Sequence, residues 1–135
     1  MKLKYEKEIS LLKSDFSNFE ARDKKSYRLV FEDLLDVRNF LPVNILNPLP
    51  DRILNFKGFG LSFFDTRESL IENFKYLSKG KPNFYKKRGT HVAEGNVTVR
   101  CGLTEINHSP GHFCHFEYCD IKLSAQFTII CEANQ

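Results

Sequence analysis

Apolar residues in the first twenty positions recur at helical spacing. Tyr5, Ile9, Leu12, Phe16 and Phe19 step by fours and threes, with Leu11 beside them, which predicts an amphipathic N-terminal helix. Glu6 and Glu8 stand near its positive end, where the helix dipole favours acids, and the polar run Arg22-Asp23-Lys24-Lys25-Ser26 ends it. From Tyr27 to Leu41 two periods compete. Tyr27, Leu29 and Phe31 alternate with Arg28, Val30 and Glu32 as a strand would, yet Tyr27, Val30, Leu34, Val37 and Leu41 also share one helical face. Pro42 closes any helix there, and Asn47-Pro48-Leu49-Pro50 reads as an irregular connection.

Phe59-Gly60-Leu61-Ser62-Phe63-Phe64 is a short apolar run suited to a buried strand, and it leads directly into a helix. Asp65 stands three residues before Glu68, an arrangement in which each side chain can satisfy the other's backbone amide. Leu70, Ile71, Phe74 and Leu77 supply the apolar face. Lys79, Gly80 and Pro82 follow as cation, left-handed cap and stop, so a helix is predicted over about 66–78. Thr90 to Ala93 reads as a strand that Gly95-Asn96 turns into Val97 to Arg100. A loop over His108 to Gly111 precedes the aromatic-rich stretch from Phe113 to Tyr118. Ser124 to Glu132 is the last strand, with Phe127, Ile129 and Cys131 on one face. Helices early and strands late predict an α+β fold: a mostly antiparallel sheet with the N-terminal amphipathic helix and the second helix packed on it.

Length changes this picture little. The 135 residues suit one domain, 1–135, that buries about two-thirds of its extended-chain surface and needs neither metal nor disulfide for stability. The chain is rich in Phe (13) and lacks Trp, as a core packed from phenylalanine rings would be. Its N-terminus is charged from the start, unlike a secretory signal, and no run approaches the ~18 apolar residues of a membrane span. By elimination the expected location is cytoplasmic, away from membranes, with Cys101, Cys114, Cys119 and Cys131 as free thiols.

Charge is more informative. The net +3 conceals a segment, residues 73–93, without any acid, in which Lys75, Lys79, Lys81, Lys86, Lys87 and Arg88 are interleaved with Phe84 and Tyr85. Cations that neutralise phosphates beside rings that stack on bases are the ingredients of nucleotide or single-strand nucleic-acid binding. Lys81, Tyr85, Lys86, Lys87 and Arg88, together with His112, are therefore candidate binding residues on a basic loop at 75–88. A second cluster, His108, His112, Cys114, His115 and Cys119, has ligand types that zinc accepts, although it has no paired CxxC and strand alternation sends Cys114 and His115 to opposite faces. His91, His108, His112 and His115 are also candidate acid–base groups. Ser62 lies where strand gives way to helix, without a nucleophile-elbow or phosphate-loop motif around it.

Tyr27-Arg28-Leu29-Val30, Asn39-Phe40-Leu41-Pro42, Gly60-Leu61-Ser62-Phe63-Phe64 and Gly111-His112-Phe113 together resemble a pattern in a family of small uncharacterised bacterial proteins. That resemblance implies a strand over Tyr27 to Glu32 and carries no activity. In outline the chain is also similar to ADP-ribosyltransferase-like folds. The similarity implies Arg28 as a phosphate holder, Ser62 as a positioner of the nicotinamide ribose and Glu132 as the polarising acid, with NAD as cofactor. The late strand lacks the Glu or Gln that such folds place two residues before the catalytic acid. The leading expectation is a domain that binds a phosphate-bearing ligand, with Arg28, Ser62 and the basic loop as its surfaces. An NAD-using enzyme is one alternative. A protein-interaction module of a small operon, with self-association as a homodimer, is the other.

Overall fold

The computed structural model describes residues 2–48, 50, 54–84, 88–107 and 110–134. Seven strands form one antiparallel sheet: β1 (Phe19–Glu20), β2 (Lys24–Val30), β3 (Leu61–Phe64), β4 (His91–Val97), β5 (Gly102–Glu105), β6 (His112–Glu117) and β7 (Phe127–Glu132). Their spatial order is β1-β5-β6-β3-β2-β4-β7. Among the described residues three α-helices accompany them: α1 (Glu6–Ser10), α2 (Val43–Leu46) and α3 (Arg67–Ser78). The fold is α+β, and none of the described helices is long and apolar enough to cross a membrane.

The strand period wins at Tyr27 because β2 is needed in the middle of the sheet, where β4 pairs with it from Lys24 to Val30. The run expected to end a helix, Lys24-Lys25-Ser26, is its first half. The N-terminal helix is present but short. Ser14 bonds back to the Ile9 carbonyl and Asp15 accepts from the Ser17 amide, local bonds that compete with helix continuation. Phe16 and Phe19 leave the helical path and pack against Phe116, with ring centroids 4.9 and 5.4 Å away. Gly95 is not a turn. It sits inside β4 between Ser26 and Phe127, where a Cβ would come within 2.2 Å of the Gln126 carbonyl oxygen, so glycine there permits close strand approach.

The strand-to-helix unit from Leu61 to Ser78 forms as its sequence predicts, with Gly80 left-handed just beyond it. Its cap differs by one residue. Thr66, not Asp65, is the N-cap, and its hydroxyl oxygen accepts from the Ser69 amide at 3.0 Å. Asp65 instead accepts from the Gly111 amide and the Asn107 side chain, fastening the start of β6 to the end of β3. Thr66→Ala should therefore cost about 1 kcal/mol of stability. Chemical denaturation that places this variant level with the native protein would remove Thr66 from the capping role.

Alternation divides the sheet's side chains between two faces. One face carries the main core, including Val30, Leu61, Phe63, Ala93, Val97, Phe113, Leu123 and Phe127. The other carries two smaller clusters. Tyr27, Phe64, Leu70 and Val92 lie under α3, and Ile9, Phe59, Cys114 and Phe116 lie under the N-terminal segment. Between them the face is uncovered, and it is there that Ser62 and His112 stand.

Candidate functional site

The sheet is loosest at its centre. β2 and β4 stay in register over seven pairs and β3 and β6 over four, whereas β2 and β3 share only Tyr27 opposite Phe64. Beyond that pair the two strands splay, and backbone groups that would have bonded to each other need other partners. Arg28 provides one: its Nη1 donates to the Ser62 carbonyl at 2.7 Å and its Nε donates to the Asn39 carbonyl at 2.7 Å. The guanidinium carbon lies 5.6 Å from the Phe63 ring and 5.9 Å from the Phe40 ring, so the charge rests between aromatic faces.

Asn39 holds the opposite wall. It is buried, its Oδ1 accepts from the Phe31 amide at 2.7 Å, and its Nδ2 donates to the Asp33 and Leu34 carbonyls. One side chain thus ties the whole turn after β2 together. Further along, Asn44 donates to the Asn55 carbonyl, and Gly58 lies so close to Asn44 that a Cβ would fall 2.3 Å from its side-chain oxygen.

The splayed seam opens into a cavity of about 390 Å³, within the size range of small-molecule sites. Its apolar wall comes from α3 (Leu70, Phe74, Leu77), Phe84 and the segment from Leu41 to Leu46. Its polar lining is cationic. Arg28, Arg38, Lys57 and Arg88 all contribute, beside Ser62, His112, Asn39 and Asn73, and no carboxylate among the described residues lines it. Arg38 is paired with Asp36 and Lys57 with Glu105. Burial, reinforced by Arg88, lowers the Arg28 pKa to about 10, which leaves it charged at neutral pH. A guanidinium also carries more N–H donors than two carbonyls use.

Ser62 and His112 both line the cavity and meet there, with Oγ and Nε2 2.9 Å apart. The imidazole packs edge-on against Phe64 at 5.5 Å. Partial desolvation lowers the His112 pKa, Glu105 opposes that shift and Lys57 adds to it, which favours the neutral ring.

The predicted site residues are thereby sorted. Arg28, Ser62, His112 and Arg88 converge on the cavity. Lys81 lines a separate depression with Ser78, Pro82, Thr90 and Asn134, on the far side of Phe84. Tyr85, Lys86, Lys87 and His108 lie outside the described residues. Glu132 does not join Arg28 and Ser62. It is exposed on the edge strand β7, opposite His91 of β4, so two strands, β2 and β4, separate its strand from that of Ser62.

The His/Cys cluster is dispersed by strand alternation. Cys114 points into the cluster under the N-terminal segment, and burial pushes its thiol up to about 12. His115 points the other way, fully buried, with Nδ1 2.9 Å from the Thr104 hydroxyl and a pKa lowered by burial to about 4. Cys119 lies past the end of β6, its thiol directed at the Leu3 carbonyl. Among the described residues, no three His, Cys, Asp or Glu side chains come together as a metal site would require.

Sequence reasoning missed Arg38, Lys57, Asn39 and Asn73 as cavity residues. Lys57 and Arg38 are single cations outside the basic segment, and only the fold brings them in, Arg38 on the turn Val37–Phe40 after β2 and Lys57 on the turn Phe56–Phe59 that leads into β3. No protein-family model, curated protein or solved structure matches this chain.

Proposed function

We propose that this domain binds a small anionic ligand with an apolar or aromatic part, a nucleotide being the natural member of that class, in the cavity along the β2–β3 seam. The observation that carries the reading is the lining itself: Arg28, Arg38, Lys57 and Arg88 around one concavity, without a carboxylate among the described residues that line it. Arg38 and Lys57 already have carboxylate partners in Asp36 and Glu105, but those acids lie outside the lining, so an anion in the cavity meets only positive side chains and accepts charge-assisted hydrogen bonds from them. The wall formed by Leu70, Phe74, Leu77 and Phe84 offers the other half of such a ligand a surface away from water. A concave site of this size favours a mononucleotide over a strand of nucleic acid, which would track an extended basic groove.

Calorimetric titration with ADP and with inorganic pyrophosphate at low salt tests this. Both are expected to bind, ADP the more tightly, with affinity falling as salt is raised. Arg88→Ala should weaken each by about tenfold, the worth of one charge-assisted contact. Silence with both ligands would overturn the proposal. Binding of an oligonucleotide without binding of either small ligand would replace it with nucleic-acid recognition.

A further inference from the structure

We propose that Ser62 and His112 form a nucleophile–base pair that cleaves esters carrying an anionic group, the cationic cavity selecting the anion. The cavity reading above supplies only the selection; the nucleophile rests on separate geometry.

That geometry begins with the register of β3 and β6. Ser62 faces Cys114 and Phe64 faces His112, so Ser62 and His112 are diagonal neighbours on the same face of adjacent strands, within reach of each other. Their 2.9 Å approach is the distance at which a base takes a hydroxyl proton. Both side chains are exposed and neither belongs to a core cluster. They occupy the uncovered strip between the α3 cluster and the N-terminal cluster, and both line the cavity. Partial desolvation lowers the imidazole pKa, which favours the neutral ring with a lone pair for the proton. The Arg28 guanidinium is seated on the carbonyl of Ser62 itself, which ties the nucleophile's backbone to the site's principal cation.

The reaction is an acyl transfer to water. Ser62 Oγ attacks the ester carbonyl carbon while His112 Nε2 accepts the hydroxyl proton. The bond from the carbonyl carbon to the alcohol oxygen breaks, and His112 returns the proton to the departing alcohol. Water then attacks the acyl-serine, His112 again taking a proton and returning it to Ser62 Oγ, which releases the acid. No oxidant, reductant or metal enters the balance. The positive lining stabilises the oxyanion formed at each addition. Among the described contacts His112 has no carboxylate holding its other nitrogen, so turnover will be slow beside that of a full triad.

The experiment compares 4-nitrophenyl acetate, which is neutral, with 4-nitrophenyl hemisuccinate, which carries a carboxylate. Release of 4-nitrophenolate and the mass of the acylated protein are followed in the native chain, Ser62→Ala, His112→Asn and Arg88→Ala. The native protein should acquire one acyl group, located at Ser62 by peptide mapping, and Ser62→Ala should acquire none there. His112→Asn should acylate at least about 100-fold more slowly with an unchanged fold, the usual worth of a general base. The hemisuccinate should react faster than the acetate, and Arg88→Ala should narrow that preference. No adduct at Ser62, or one that forms equally fast in His112→Asn, would overturn the nucleophile. Acylation of Ser62 that depends on His112 but ignores the ester's charge would sustain the nucleophile and overturn the cationic selection. Because acetate labelling needs no anion, it fails or succeeds independently of nucleotide titration.

Discussion

Replacing Phe63 with alanine is expected to destabilise the protein by about 3–5 kcal/mol, the usual cost of removing a fully buried ring. Phe63 has no solvent exposure and lies on β3 at the middle of the sheet order. Its ring stacks on Phe113 at 5.8 Å and on Phe127 at 5.6 Å, and meets the edge of His115 at 6.0 Å. β6 and β7, on opposite sides of β3, therefore both contribute rings to the same contact, and no neighbouring side chain can close the void without shifting a strand. The loss reaches the cavity as well. Arg28 rests against the same ring, so the variant should bind pyrophosphate more weakly even where it remains folded. Urea unfolding followed by circular dichroism measures the first effect. Ile130→Ala, on the edge strand with a 40% exposed side chain, serves as control and should cost under about 1 kcal/mol. A Phe63→Ala midpoint near that of the control would mean that the rings contributed by β6 and β7 do not depend on Phe63 for their packing.

Those parts of the fold that local periodicity governs were legible in the sequence. The unit from Leu61 to Ser78 is one, because apolar run, apolar helix face and Gly80 all agree. Where local and long-range demands differ, the sequence misleads in a definite way. Phe16 and Phe19 keep helical spacing with Tyr5 and Ile9, yet ring packing against Phe116 across the sheet outweighs about two turns of helix propensity. Gly95-Asn96 has turn chemistry, but crowding by β7 uses the glycine for strand contact. The cap shifted from Asp65 to Thr66 because Asp65 has a tertiary obligation to Gly111 that no local pattern reveals.

The candidate site follows the same rule. Arg28, Ser62, His112 and Arg88 were each visible as residue types near the right elements, since strand ends and basic segments are readable. Their convergence was not, because it depends on the splay of β2 from β3 and on the path from Phe31 to Asn39, both set by pairing between distant segments. The two groupings drawn from sequence proximity or outline similarity, His108 to Cys119 and Arg28 with Ser62 and Glu132, fared worst. Alternation separates neighbours such as Cys114 and His115, and strand order separates β7 from β3. The cavity therefore depends on topology: its cationic lining gathers where β2 splays from β3, while the Ser–His contact forms across the neighbouring β3–β6 pair.

Lys4→Met is expected to cost about 3 kcal/mol at pH 7, and most of that cost should vanish in acid. Lys4 Nζ donates to Glu117 Oε2 and to the Ile121 carbonyl, both at 2.9 Å, and the Glu117 side chain is only 5% exposed. Removing one member of a buried pair leaves an uncompensated charge, a loss of about 3–5 kcal/mol. The lower end applies because a third of the Lys4 side chain remains in water. Even with Lys4 in place, burial holds the Glu117 pKa above its ordinary 4.5. The folded state therefore binds this proton more readily than the unfolded chain does. Its carboxyl is tolerated when neutral, below that ordinary value, and its cost grows as pH rises through 4.5 toward the raised folded value. Without Lys4 the folded value moves higher still, so the deficit relative to the native protein should be full at pH 7 and small near pH 4. Urea midpoints for both proteins at the two pH values measure it, and comparing the variant with the native chain cancels every other titration the two share. Lys4→Met combined with Glu117→Leu should restore much of the stability at pH 7, since an apolar pair needs no compensation. A deficit that is the same at both pH values, or that Glu117→Leu leaves untouched, would assign the role of Lys4 to its bond with Ile121 and to the backbone pairing of Leu3 with Tyr118 rather than to charge.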